Sequence, residues 1–258
     1  MTAATTTPTA VTRLPVRAVA FSQPLHWLRA GLQDVLAMPV ASLTYGVLFA
    51  LMGYVLTALA ASRPHLLSAT VSGFFLIGPF LGIGLYRLSQ AREAGTPIRM
   101  LDSFTAWRYN AWSIGLFGVM LAFVLLSWER VSAILFALFH GAAIPVSDGG
   151  WADRLLVTAD PAFLMLYTVI GGALAIGVFA ISVIALPLLL SGPHDPVTAA
   201  VTSLQATRIN LAPMAIWAGL IVLLVGLGMA SAFIGLIFTM PLVAHATWHA
   251  FRDLTASP

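Results

Sequence analysis

The sequence predicts an all-α polytopic membrane protein of about six transmembrane helices, with amphipathic interface helices preceding spans and an internal pseudo-repeat. Three observations predict it. Of the 258 residues, 60% are hydrophobic and only 8% are charged, whereas soluble domains carry roughly 25% charged residues. A soluble fold of this size has no interior large enough for so much apolar surface, and a bilayer does. The charges are confined to short stretches between long uncharged runs. Finally, one pattern occurs twice, 100 positions apart, as Ala106-Trp107-Arg108-Tyr109-Asn110 and Ala206-Thr207-Arg208-Ile209-Asn210. Each copy precedes a long apolar run.

Residues 1–22 are rich in Thr and Ala and lack a continuous apolar core, so they read as a disordered cytoplasmic tail rather than a cleaved signal. A single helical membrane domain follows over 23–254. Residues 40–61 give 22 positions without a charge, and 66–86 give 21; each is long enough to span. Residues 112–128 form a third span of 17 residues with Trp at both ends, the mark of interfacial anchors. The stretch 129–160 is expected as a long extracytoplasmic loop, its nine-residue apolar patch 131–139 being too short to cross. The uncharged run 161–190 makes a fourth span, with Pro187 near its end.

Residues 209–244 are 36 positions without Asp, Glu, Lys or Arg. One helix of that length would reach about 54 Å, against about 30 Å of hydrocarbon. Two spans near 211–229 and 231–248 are therefore expected, with a turn around 228–231. Six spans put both termini on one side. Nine of the 12 Arg fall on that side and three on the other, which makes the termini cytoplasmic.

The repeat-like halves run over about 74–128 and 179–229. Before each Asn, apolar residues recur at helical spacing, as for a helix lying in the headgroup plane. Asn110 and Asn210 are expected to cap the helix that enters the bilayer, while Arg108 and Arg208 reach back to phosphate. With Arg87 and Arg99, these residues are the candidates for an interface with anionic headgroups. A sharper reading places Arg108 and Arg208 in one anion pocket between the repeats. Leu25, Leu28, Leu32 and Leu36 form a further helical stripe before the first span.

His245 and His249 stand four apart on one helix face, a spacing that suits metal. No third His is near them in sequence, so haem or metal is the weaker reading, and interfacial hydrogen bonding the stronger. The chain has no Cys, which excludes disulfides and thiol catalysis. No phosphate loop, nucleophile elbow or metalloprotease motif occurs. No expected span contains Asp, Glu, Lys or Arg, the groups that ion-coupled transporters usually carry. No catalytic residue or cofactor is thus expected. The net charge of +3 suits lipid headgroups and not nucleic acid. The function expected is a non-enzymatic accessory, assembly or lipid-organising component, with an anion or small-solute transporter as the alternative.

Four stretches carry a resemblance: Leu36-Ala37-Met38-Pro39 through Leu43-Thr44-Tyr45-Gly46, Gly73-Phe74-Phe75-Leu76-Ile77-Gly78-Pro79, Leu186-Pro187-Leu188-Leu189 with Asp195-Pro196-Val197-Thr198-Ala199, and the ending from Pro241 to Leu254. Together they resemble the domain-of-unknown-function 2189 family of integral membrane proteins, over roughly residues 25–254. The resemblance implies no activity. Members are sometimes labelled cytochrome c oxidase subunit I, which implies at most a partner among respiratory or other membrane complexes.

Overall fold

A computed structural model of the chain describes residues 14–62, 67–97, 99–140 and 160–255, with the side chains of 59–62, 67–79 and 140 outside that description. In chain order the helices are α1 (Gln23–Ala37), α2 (Pro39–Ser62), α3 (Leu67–Glu93), α4 (Met100–Phe104), a 3-10 helix (Ala106–Asn110), α5 (Ala111–His140), α6 (Pro161–Ser182), α7 (Ala185–Ser191), α8 (Pro196–Ile209), α9 (Leu211–Ala230) and α10 (Leu236–Leu254). The described residues contain no strand, only an isolated bridge between Val16 and Thr255.

Four helical stretches among the described residues are long and apolar enough to cross a membrane: Pro39–Ala58, Ala106–Phe139, Pro161–Ser191 and Leu211–Ala230. They coincide with four of the expected spans. The expected span 66–86 falls largely on side chains outside the description. The expected sixth span is a different object. In α10, a run from Pro241 to Trp248 is buried continuously, and the helix packs against α1, α2, α3 and α9. It is the hub of the bundle, not one more lipid-facing wall.

Two prolines explain local geometry. Pro241 lies inside α10 and has no N–H for the carbonyl of Ile237. That carbonyl faces α2, where a Cβ on Gly46 would lie 1.9 Å from it. Glycine lets the two backbones meet there, close enough for Cα–H to approach the free oxygen. Pro187 acts similarly on the run 161–190, which breaks at Val183–Ile184 into α6 and α7. Ser203 of α8 repairs the break: its hydroxyl donates to Ala180 O at 2.9 Å and accepts from Ile184 N at 3.4 Å. One side chain thus stands between a donor and acceptor that an unbroken helix would pair directly.

Other expectations change. Residues 129–140 do not begin a loop, because α5 runs unbroken to His140; residues 141–159 lie outside the description. Trp128, expected as an interfacial anchor, is half-buried. It packs on Tyr167 of α6, ring centroids 5.0 Å apart, over Gly171. Trp112 stays 82% exposed, as a belt residue should. The α9–α10 turn falls at Ser231–Gly235, a few residues beyond 228–231, with Ala232 and Phe233 at positive φ. Of the expected tail, residues 1–13 lie outside the description, but residues 14–22 are tied down. Arg17 N donates to Leu254 O at 2.9 Å, and Val16 bridges Thr255.

Candidate functional site

The inner face of α1 carries Trp27, Gly31, Asp34 and Val35, all buried. Three of these suit a core-facing stripe. Asp34 does not: it puts a carboxylate, 1% exposed, against α10. A buried charge is costly unless it is paired and hydrogen-bonded, and every partner here comes from another helix. Arg92 of α3 donates to Oδ1. Ser89 of α3 donates to Oδ2, and so does His249 Nε2 of α10, at 3.0 Å.

The proton order follows from accounting. A carboxylate only accepts, so the single Ser89 proton points to Asp34. His245 Nδ1, 2.6 Å from Ser89 Oγ, must then be the donor to that oxygen. With Nδ1 protonated, the Nε2 of a neutral ring accepts from Ser42 of α2, at 2.9 Å. The row reads Ser42, His245, Ser89, Asp34, with each proton directed toward the carboxylate. His249 and Arg92 approach from the outer side, where their side chains are 24% and 40% exposed. Burial by itself raises the Asp34 carboxyl. The hydrogen bonds from His249 and Ser89, with the fields of His249 and His245, outweigh it and hold Asp34 below its ordinary 3.8.

Two further carboxylates complete the arrangement. Glu93 of α3 accepts from Arg252 Nε at 3.0 Å and Trp248 Nε1 at 3.1 Å, both on α10. Asp253 of α10 accepts from Gln23 at 2.6 Å and Trp27 Nε1 at 2.8 Å, both on α1. Three acids on three helices each hold another helix of the trio, so α1, α3 and α10 form a closed polar triangle.

The structure brings His245 and His249 into this cluster. Both ring nitrogens of His245 are engaged by serines, Ser42 and Ser89. The described residues hold no group of three His, Cys, Asp or Glu arranged for a metal ion. The side chains of Arg108 and Arg208 are exposed and make no hydrogen bond or ion pair, to one another or to any other described residue. Arg99 is exposed ahead of α4. Arg87 lies with its guanidinium carbon 5.0 Å over the Tyr109 ring.

Asn210 is not the cap expected. It stands before α9 without a side-chain cap bond, and instead clasps the N-terminal strap. Its Oδ1 accepts from Val19 N at 2.8 Å, while Nδ2 donates to Arg17 O at 2.9 Å. Asn110 likewise donates to carbonyls around the C-terminal end of α7, Leu189 O within its last turn at 3.2 Å and His194 O just beyond it at 2.9 Å. Both Asn residues mark a helix-to-helix junction, but each secures a distant segment rather than its own helix start.

Sequence reasoning missed Asp34, Ser42, Ser89 and Arg92. The available signal was Asp34 itself, an acid on the same helical face as Trp27 and Gly31.

Residues 66–191 match the model of a family described as "Predicted integral membrane protein (DUF2189)". Over those residues, just under half of the chain, the protein is similar to that family. The matched segment contains Ser89, Arg92, Arg87 and Asn110. Asp34, Ser42, His245 and His249 lie outside it, as does the C-terminal stretch from Pro241 that contributed to the resemblance. No curated protein and no solved structure matches the chain significantly. The protein is an integral membrane protein with several apolar helices, its function unknown.

Proposed function

We propose that the protein is a non-catalytic multi-pass component of a bacterial inner membrane, its termini cytoplasmic, with an accessory, assembly or lipid-organising role. The observation that carries this is the closure of the Asp34 cluster. Buried ionisable groups with a shifted pKa are functional-site candidates by default. Here each oxygen of Asp34 and each nitrogen of His245 is already bonded within the chain. Ser42, which accounting places as donor to a histidine, is fully buried, and a reacting group needs access to substrate. The cluster therefore supports a device that fixes three helices.

The alternative is a small-solute or anion transporter, and the Ser42–His245–Ser89–Asp34 row favours it, since proton relays use such groups. Against it, the row stops at Ser42. One turn further along α2, Gly46 is pressed against the Ile237 carbonyl, which leaves no room to continue. Purification in mild detergent with mass spectrometry of co-eluting proteins and lipids tests the proposal. A reproducible partner or lipid is expected. Recovery of the protein alone, together with proton-coupled solute uptake in proteoliposomes, would replace the proposal with the alternative.

A further inference from the structure

Tyr45 follows Ser42 by three residues on α2, and Gly84 precedes Ser89 by five on α3. At 1.5 Å per residue they lie roughly 5 and 8 Å deeper than the polar cluster. At that level α2, α3, α4 and the 3-10 helix enclose a cleft of about 50 Å3, lined by Tyr45, Leu81, Ile83, Gly84, Ser103 and Trp107 among others. A single water needs about 10–15 Å3, so the space takes more than one. Its polar atoms are already occupied. Ser103 Oγ donates to Met100 O at 2.6 Å, which leaves Tyr45 Oη to donate to Ser103 Oγ at 2.8 Å. The remaining lining is aliphatic and aromatic, with the Tyr45 ring stacked on Phe104, centroids 4.8 Å apart. Such a lining favours an apolar guest over water.

Arg87 stands one turn from Ile83 and Gly84 on the same face of α3, toward the polar end of the bundle. It uses one N–H on Gln90, at 2.7 Å, and one on Tyr109 Oη, at 3.3 Å. A guanidinium has five, so three remain. No carboxylate pairs with it among the described residues. Trp107 and Tyr109 flank this mouth, 49% and 69% exposed, as interfacial aromatics do.

We propose that this cleft binds one anionic phospholipid, with part of an acyl chain in the cleft and the phosphate on the Arg87 guanidinium. Charge and depth agree: an uncompensated cation stands at the headgroup end and an apolar slot lies one to two turns deeper. The site rests on the reading above only in placing these helices in a bilayer.

The test is native mass spectrometry of the full chain in detergent, titrated separately with dioleoylphosphatidylglycerol, dioleoylphosphatidylcholine and inorganic phosphate. The expected result is one saturable phosphatidylglycerol, preferred over phosphatidylcholine roughly fivefold, the ratio that about 1 kcal/mol per basic residue at an anionic surface gives. Phosphate alone leaves no adduct. Arg87→Gln removes the preference while some lipid binding remains, and Leu81→Trp, which fills the cleft, weakens both lipids. Should Leu81→Trp fail to fold, brominated phosphatidylglycerol serves instead: quenching in the wild type but not in Trp107→Phe should saturate at one lipid. Equal binding of the two lipids, an unchanged preference in Arg87→Gln, or no saturable step overturns the site. Loss of the site with a protein partner still recovered would leave the accessory reading intact.

Discussion

Replacing Asp34 by Asn keeps the size and shape of the side chain and removes what its neighbours require. The carboxylate accepts Arg92 on one oxygen, and Ser89 and His249 on the other. Asn offers one acceptor and one NH2. Whichever way the amide turns, a donor meets a donor, and either Arg92 or the Ser89–His249 pair loses its partner. Breaking a buried pair costs about 3–5 kcal/mol, and leaving a buried polar group unsatisfied about 1–3 kcal/mol. Arg92 and His249 are 40% and 24% exposed, so water recovers part of that, and the expected loss is about 2–4 kcal/mol. Equilibrium unfolding in mixed micelles of increasing SDS measures it. Asp34 titrates below its ordinary 3.8 in the fold, so its contribution is present above that pH and is lost as pH falls through the depressed value. The gap between wild type and Asp34→Asn should persist at neutral pH and close only below 3.8. A loss under about 1 kcal/mol, or a gap that closes by pH 5, would refute the pairing described.

Gly46→Leu should abolish a monodisperse folded species in size-exclusion chromatography, because its Cβ alone would lie 1.9 Å from the Ile237 carbonyl. Gly219→Ala, with nothing within 4 Å of the added methyl, should fold normally and gain up to about 1 kcal/mol. Asn210→Ala should free the strap at Arg17 and Val19, seen as faster trypsin cleavage at Arg17 with the bundle otherwise intact. Because the chain has no Cys, single cysteines at Ser22 and Arg130 report topology cleanly. Maleimide should label position 130 in intact spheroplasts and position 22 only after permeabilisation.

The spans at Pro39, Pro161 and Leu211 were legible because crossing a membrane is a requirement on length and apolarity, which are local properties. The roles of α10 and Asp34 were not. Residues 231–248 read as one more span because an apolar helix buried in protein and one facing lipid have the same composition. The His245–His249 pair looked isolated because its carboxylate lies 215 positions away from His249. Asn110 and Asn210 were recognisable as junction residues. Their partners were not, since a strap at Val19 and the carbonyl of His194 meet them only once the chain is folded.

The link between Asp34 and His249 also sets a schedule. At about 5–20 residues per second, the 215 positions between them take roughly 10–40 s to synthesise. Through that interval α1 has its acid made and α10 does not exist. Arg92 and Ser89 of α3 can reach the acid first, but its histidine partner is missing while every helix between is made. α10 then meets a gap walled by α1, α2 and α3, so its arrival is a docking event rather than an insertion into open lipid. A nascent chain arrested before His245 would expose the unfinished acid to the machinery that clears incomplete membrane proteins.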